Sequence, residues 1–253
     1  CAATHEMITN GQHTGLAGQV ANGEVNNILI HIGVNDFNTW NGTYQAVYDG
    51  TVSGVALQAK VDGIVTDITT AVDTLKTAGA TKIALTNIAD TGSSIDIMTQ
   101  YPDATKRARV TSAIQAVNAG ILALTQSRNI TLVDMYAFGN SILGQVDAQG
   151  FLHVDNELID LKTRGDEPHH MQLGDNVGHA GTVVNGLVAN YMFVNPMNAA
   201  YQLGIAAFTD NEILINAGIG IATATPVASA TPSATPIVTP IPTPTAIPTA
   251  TPV

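Results

Sequence analysis

The sequence predicts an α/β fold built on a parallel sheet covered on both faces, and three observations carry that prediction. Short apolar runs with strand character alternate with long segments whose apolar residues recur at helical spacing. Each helical segment is closed by a stop or turn signal before the next apolar run. Over residues 1–216 the chain is poor in charge and rich in Ala, Val and Ile; the whole sequence has 45% hydrophobic and 11% charged residues, which suits a buried core better than disorder.

Asn26 to Ile32 (NNILIHI) is an apolar run closed by Gly33, the pattern of a strand buried on both faces. Residues 55–77 place Val61, Ile64, Val65, Ile68, Val72 and Leu75 on one stripe, and Gly79 stops that helix before a second strand, Lys82 to Ile88 (KIALTNI). Residues 104–126 repeat the pattern with Val110, Ile114, Val117, Ile121 and Leu124, ahead of a third strand, Ile130 to Val133, which ends at Asp134. A last helix, about Gly181 to Phe193, sets Val183, Val184, Leu187, Val188 and Tyr191 on one face. Right-handed crossovers between such strands give a three-layer α/β/α sandwich with a parallel sheet. Ligands in these sheets bind beyond the carboxyl ends of the strands. Chemistry is therefore expected in the loops after Ile32, Ile88 and Val133, and in the loop entering the last helix.

Composition sets further bounds. Twenty acidic and nine scattered basic residues give a net charge of −11, which argues against nucleic acid as a partner, since phosphate binding needs clustered Lys and Arg. One cysteine cannot form an internal disulfide. No apolar run approaches the roughly 18 residues of a membrane span. Eight of the eleven prolines lie between Pro226 and Pro252 in a stretch without charge or aromatics. Residues 217–253 thus read as a Thr/Pro/Ala-rich, PPII-like linker of the kind that tethers extracellular domains. Sequons at Asn41 and Asn129 add little to this.

Two motifs could carry chemistry. Gly33-Val34-Asn35-Asp36 follows the first strand: a glycine there lets the backbone turn sharply, and a carboxamide projected from the turn can donate to a developing oxyanion. The plainer alternative is a turn in which Asn35 and Asp36 cap the next helix. The second motif runs Gly165-Asp166-Glu167-Pro168-His169-His170, then Gly174-Asp175-Asn176-Val177-Gly178-His179-Ala180-Gly181-Thr182. A carboxylate shortly before a histidine can orient the imidazole and stabilise its cation, the acid/base half of a hydrolytic triad. A metal site from His169, His170, His179, Asp166 and Asp175 is the rival reading. Against it, adjacent histidines rarely face one ion, and no His-x-x-x-His pairing is present.

In this order, with these strands between them, the two motifs resemble the SGNH (GDSL-type) hydrolase family. Thr86-Asn87-Ile88-Ala89-Asp90-Thr91-Gly92 and Val133-Asp134 with Phe138 also look like family blocks, so the likeness spans most of residues 1–216. The resemblance implies an SGNH/flavodoxin-like sandwich and hydrolysis of a carboxylic ester of a lipid, an acylated carbohydrate or a small alcohol, without metal or cofactor. It implies His179 as general base, Asp175 as its orienting carboxylate, Asn35 as oxyanion donor, and Gly33 and Asp36 as the residues that shape the substrate-side turn. A monomer, secreted or tethered at the cell surface, is expected.

The sequence departs from the family in three places. It contains no Gly-Asp-Ser nucleophile block; Ser93 and Ser94 follow a strand but come after the Asn35 block, where the family does not place its nucleophile. Cys1-Ala2-Ala3-Thr4-His5 looks like the second family block, with Cys1 or Ala2 where glycine is usual. The chain is accordingly expected to be a fragment lacking its first strand or strands and the catalytic serine, and inactive alone. A lipid-modified Cys1 on a catalytically empty, surface-tethered binding module is the alternative. Asp175 lies four residues before His179 instead of three, where Asn176 stands, so either could orient the imidazole; Ala180 replaces a proline. Selectivity would come from loops such as residues 37–54 and 138–173; Trp40, Tyr44 and Tyr48 in the first are expected to close the core rather than stack on a sugar.

Overall fold

The three apolar runs form one parallel sheet. The computed structural model describes residues 2–175 and 179–219, without the side chains of Ile95 and Asp96. Most of the Thr/Pro-rich stretch, Cys1 and Asn176 therefore lie outside the described residues. In chain order the elements are α1 (Thr4–Thr9), α2 (Gln12–Ala21), β1 (Ile28–Ile30), α3 (Thr43–Asp49), α4 (Gly54–Thr77), β2 (Ile83–Thr86), α5 (Ile95–Gln100), α6 (Ala104–Arg128) and β3 (Thr131–Val133). There follow α7 (Met135–Gly144), β4 (Phe151–Val154), β5 (Glu157–Arg164), β6 (His170–Gln172), α8 (Thr182–Ala189), a π turn (Asn190–Val194), α9 (Asn195–Tyr201) and α10 (Asp210–Asn216).

The parallel sheet has the order β1-β2-β3, with Ile30 beside Leu85 and Leu85 beside Leu132. Side chains alternate across it as a pleated strand requires. Ile28, Ile30, Ile83 and Leu85 join Val61, Ile64, Ile68, Val110, Ile114 and Val117 of α4 and α6 in one core cluster. Leu29, Ala84 and Val133 belong to a second cluster with Met192 and Met197. Helices thus cover both faces, an arrangement compatible with an α/β/α sandwich, and the molecule is a mixed α/β protein. On the first face Gly120 of α6 lies so near Val65 that a Cβ would approach its Cγ2 to 2.6 Å, so the glycine permits the close helix contact. On the second, the Tyr201 hydroxyl accepts from the Ile83 N–H (3.1 Å) and donates to the Ile83 carbonyl (2.9 Å), fastening α9 to the amino end of β2.

Helix ends follow their capping residues. Asp103 accepts from the N–H groups of Thr105 and Lys106 at the start of α6, and Asn129 closes that helix at φ 50°. Asp134 caps α7 through the Ala137 N–H and also accepts from Asn87 Nδ2 at 2.7 Å. Beyond β2, the Asn118 carboxamide of α6 takes the place of a neighbouring strand: Oδ1 accepts from the Ile88 N–H and Nδ2 donates to the Ile88 carbonyl, both at 2.8 Å.

Residues 138–173 depart from the loop expected there. The span holds the rest of α7 and the strands β4, β5 and β6, and these strands form a second, smaller sheet. An antiparallel hairpin turns at Asp155, φ 53°. Its Leu152, Val154, Ile159 and Leu161 bury against Val183 of α8 and Ile213 and Leu214 of α10. That hydrophobic alternation is what pulls the span out of solvent. Strand β6 then returns parallel to β5 after a connection of residues 165–169 only. Ala217 and Ile219 still pack on this cluster, so the domain extends slightly beyond the expected boundary at residue 216.

Candidate active site

The turn after β1 is built around Gly33, which adopts φ 111°, a region that favours glycine. A Cβ there would meet Ile88 Cδ1 at 2.8 Å, and Ile88 is itself pinned by Asn118. A short 3₁₀ turn, Val34–Phe37, follows and presents Asn35. The Asn35 carbonyl accepts from Asn38 Nδ2 at 2.8 Å and Asn41 Nδ2 at 3.2 Å. Its own Nδ2 donates to the Ala2 carbonyl at 3.1 Å, which fixes the carboxamide and leaves the amide a second N–H to offer.

Asp36 turns the other way and is buried. Its two oxygens accept from the Thr4 N–H and the Thr4 hydroxyl, each at 3.0 Å, and Thr4 is wholly buried. Burial raises the Asp36 pKa above the ordinary carboxylate value, against the lowering effect of the Thr4 hydrogen bonds. Asp36 therefore anchors Ala2–Thr4 against the turn instead of facing the cavity, and the expectation that it shapes the turn acquires a specific geometry.

The second motif is positioned by β6. The Gly181 N–H donates to the Met171 carbonyl at 2.7 Å and the Leu173 N–H to the His179 carbonyl at 2.8 Å. A Cβ on Gly181 would come within 2.4 Å of the His170 carbonyl oxygen, so only glycine allows this contact. His179 Nδ1 pairs with Asp175 Oδ2, and the His179 N–H donates to Asp175 Oδ1 at 3.2 Å. Arg164 of β5 donates from Nη1 to the Asp175 carbonyl at 3.1 Å. Asp175 thus reaches the imidazole despite its four-residue spacing, while Asn176 lies outside the described residues.

The other members of the motif disperse. His169 meets Glu157 at 3.2 Å, His170 lies 3.9 Å from Asp160, and Asp166 accepts from the Gly174 N–H at 3.0 Å. Among the described residues no three His, Cys, Asp or Glu side chains are grouped so as to hold a metal ion.

Asn35 and His179 line one cavity of about 950 Å³, at the carboxyl end of the parallel strands. Three further side chains join them without a motif to single them out. His31 places Nδ1 3.0 Å from the Thr86 hydroxyl, and desolvation by the surrounding protein lowers its pKa below 6.5, which favours the neutral ring at pH 7. Its signal in the sequence is a polar ring at the end of an apolar strand. Arg164 enters from β5, and Trp40 stands at the rim, 55% exposed. Trp40, Tyr44 and Tyr48 therefore divide. Tyr44 and Tyr48 pack with Tyr101 in the core as expected, whereas Trp40 does not.

No family model matches this chain, and no curated protein does. The functional reading consequently rests on the residues and their geometry. Ser94 lines the cavity as well, but its hydroxyl accepts from the Ile97 N–H at 3.3 Å and donates to the Thr91 carbonyl at 3.2 Å. The Ser93 hydroxyl donates to Asp90 Oδ2 at 2.6 Å. Both serines thus serve the local loop and helix cap. No described helix is long and apolar enough to cross a membrane.

Proposed function

We propose that the cavity is the cleft of a serine-type ester hydrolase of SGNH kind, extracellular, with His179 as general base, Asp175 orienting it and Asn35 as oxyanion donor. The observation that supports this most is convergence: a carboxamide on a glycine-built turn and a carboxylate-paired imidazole, far apart in the sequence, line one cavity. The strand order supports it as well, because β1-β2-β3 matches the run of the last three strands in a flavodoxin-like 2-1-3-4-5 sheet. In that topology the open edge of β1 is where the strand bearing the Gly-Asp-Ser block belongs, and this sequence has no such block.

In this mechanism the serine oxygen attacks the ester carbonyl carbon as His179 takes its proton. The oxyanion accepts an N–H from Asn35, the alkoxide leaves with the proton from His179, and water repeats the cycle to free the acid. The absent serine block and the exposed Trp40 favour a second reading, a non-catalytic glycan-binding module.

The test is hydrolysis of p-nitrophenyl acetate by the chain joined to an upstream segment carrying Gly-Asp-Ser. Turnover is expected, with His179→Ala reducing kcat about 10³- to 10⁴-fold and Asn35→Ala about 10²- to 10³-fold. Turnover that survives His179→Ala would sink the role assignment. Glycan binding without turnover would favour the module.

A further inference from the structure

A second cleft, about 240 Å³, opens beside the first between the loop after β2, α7, the small sheet and α8. Its walls are mostly hydrocarbon, from Met135, Phe138, Leu143, Leu152, Met171 and Leu187. The one charged side chain among its lining residues, Asp90, accepts from the Gly92 N–H (3.0 Å), the Ser93 hydroxyl (2.6 Å) and the Thr111 hydroxyl (2.9 Å), so its charge is already hydrogen-bonded within the protein. Thr91 and Ser94 line both cavities, so a molecule can lie across that loop with a polar end beside Asn35 and His179 and an apolar end in the cleft. The Thr91 hydroxyl oxygen at this junction is buried and has no hydrogen-bond partner among the described residues.

Gly139, inside α7, points to the same use. A Cβ there would touch only the Ala89 Cβ, at an ordinary 3.7 Å, and the residue has no positive φ. Neither packing nor backbone requires the glycine, although glycine inside a helix is unfavourable relative to alanine. What it leaves is room in the cleft.

We infer that this cleft binds the acyl chain of the ester substrate, a linear hydrocarbon of about six to nine carbons, given that an apolar cavity of roughly 150 Å³ holds one benzene. The larger cavity, with Trp40 and Arg164, is left to the alcohol portion. This inference rests on the ester-hydrolase reading above for the word acyl, and on the cleft alone for the hydrocarbon.

Two arms separate the two. Calorimetric titration of the full chain with sodium octanoate should show binding that acetate does not compete for; Gly139→Leu, whose side chain fills the cleft, should weaken it at least tenfold, and Gly139→Ala should preserve it. In the ester-hydrolysing protein, each methylene buried is worth about fourfold in kcat/KM, so Gly139→Leu should lower the octanoyl-to-acetyl preference about 10²-fold. Leu143→Ala, which enlarges the cleft, should move the preferred chain length upward and serves if Gly139→Leu fails to fold. Octanoate binding equal in wild type and Gly139→Leu, or a chain-length profile that neither variant moves, overturns the cleft assignment and leaves the hydrolase reading standing. Octanoate binding lost in Gly139→Leu, in a protein that hydrolyses no ester, confirms the hydrocarbon cleft and overturns the hydrolase reading.

Discussion

Replacing Asp36 by alanine should detach residues 2–4 from the turn after β1, and the structure sets the size of the effect. Thr4 is wholly buried and gives both its N–H and its hydroxyl to the Asp36 carboxylate, at 3.0 Å each. Each donor left unsatisfied costs about 1–3 kcal/mol. Removing the carboxylate also removes its own desolvation penalty, the burial that raises its pKa, so the net loss for Asp36→Ala is expected at about 2–4 kcal/mol. Asp36→Asn keeps one acceptor and should lose about 1 kcal/mol. The two also differ in pH response. A carboxyl whose folded pKa is raised binds its proton more tightly in the native state, so its contribution is full below the unfolded value near 3.9 and declines as pH climbs through the folded pKa. Asp36→Asn lacks that decline, so its deficit relative to wild type should shrink as pH rises through this window. Urea unfolding followed by circular dichroism, at pH values on both sides of it, measures both effects, and amide exchange at Thr4 reports the local release. A loss under about 0.5 kcal/mol for Asp36→Ala, with Thr4 still protected, would show that residues 2–4 are held by something other than Asp36.

Other outcomes follow from the same geometry. Gly33→Ala combines a positive φ with a 2.8 Å approach to Ile88 and should destabilise by about 1–3 kcal/mol in thermal or urea unfolding; a neutral result would contradict a turn that requires glycine. Asn118→Leu removes both hydrogen bonds to Ile88 and should cost about 2–4 kcal/mol, read by urea unfolding together with loss of exchange protection at the Ile88 amide. His31, whose folded pKa is depressed, contributes stability above the ordinary histidine value that is lost as pH falls toward the folded one. An NMR titration should place its midpoint below 6.5, and His31→Gln should flatten that stretch of the stability curve.

The parallel sheet was legible because its strands are short apolar runs and its helices carry unbroken stripes. Val61, Ile64, Ile68, Val72 and Leu75 are buried as their spacing predicts. Val65 packs at the edge of that stripe, against Gly120. The small sheet escaped because its strands are interrupted by polar residues on the solvent side, as at His153 and Lys162, and because the turn at Asp155-Asn156 carries no glycine. Leu152, Val154, Ile159 and Leu161 do alternate, which is the signal that a period-two reading of residues 151–161 would have found. At the site, Asn35, Asp175 and His179 announce themselves by motif. His31, Trp40 and Arg164 become neighbours only through the fold, and no local pattern encodes a meeting between residues so far apart in the chain.

The clasp of Asn118 on Ile88 has a consequence for how such a protein can diversify. Ile88 fixes Gly33, Gly33 presents Asn35, and a helix rather than another strand holds Ile88 in place. The floor beneath the cavity is therefore fixed by interlocking contacts that tolerate little change. Its walls come from separate elements: the loop of Trp40, the hairpin of Arg164 and the face of α7 with Gly139. Residues on those walls can be exchanged one at a time without disturbing the floor, so what the cavity admits and how firmly its floor is held are open to independent engineering.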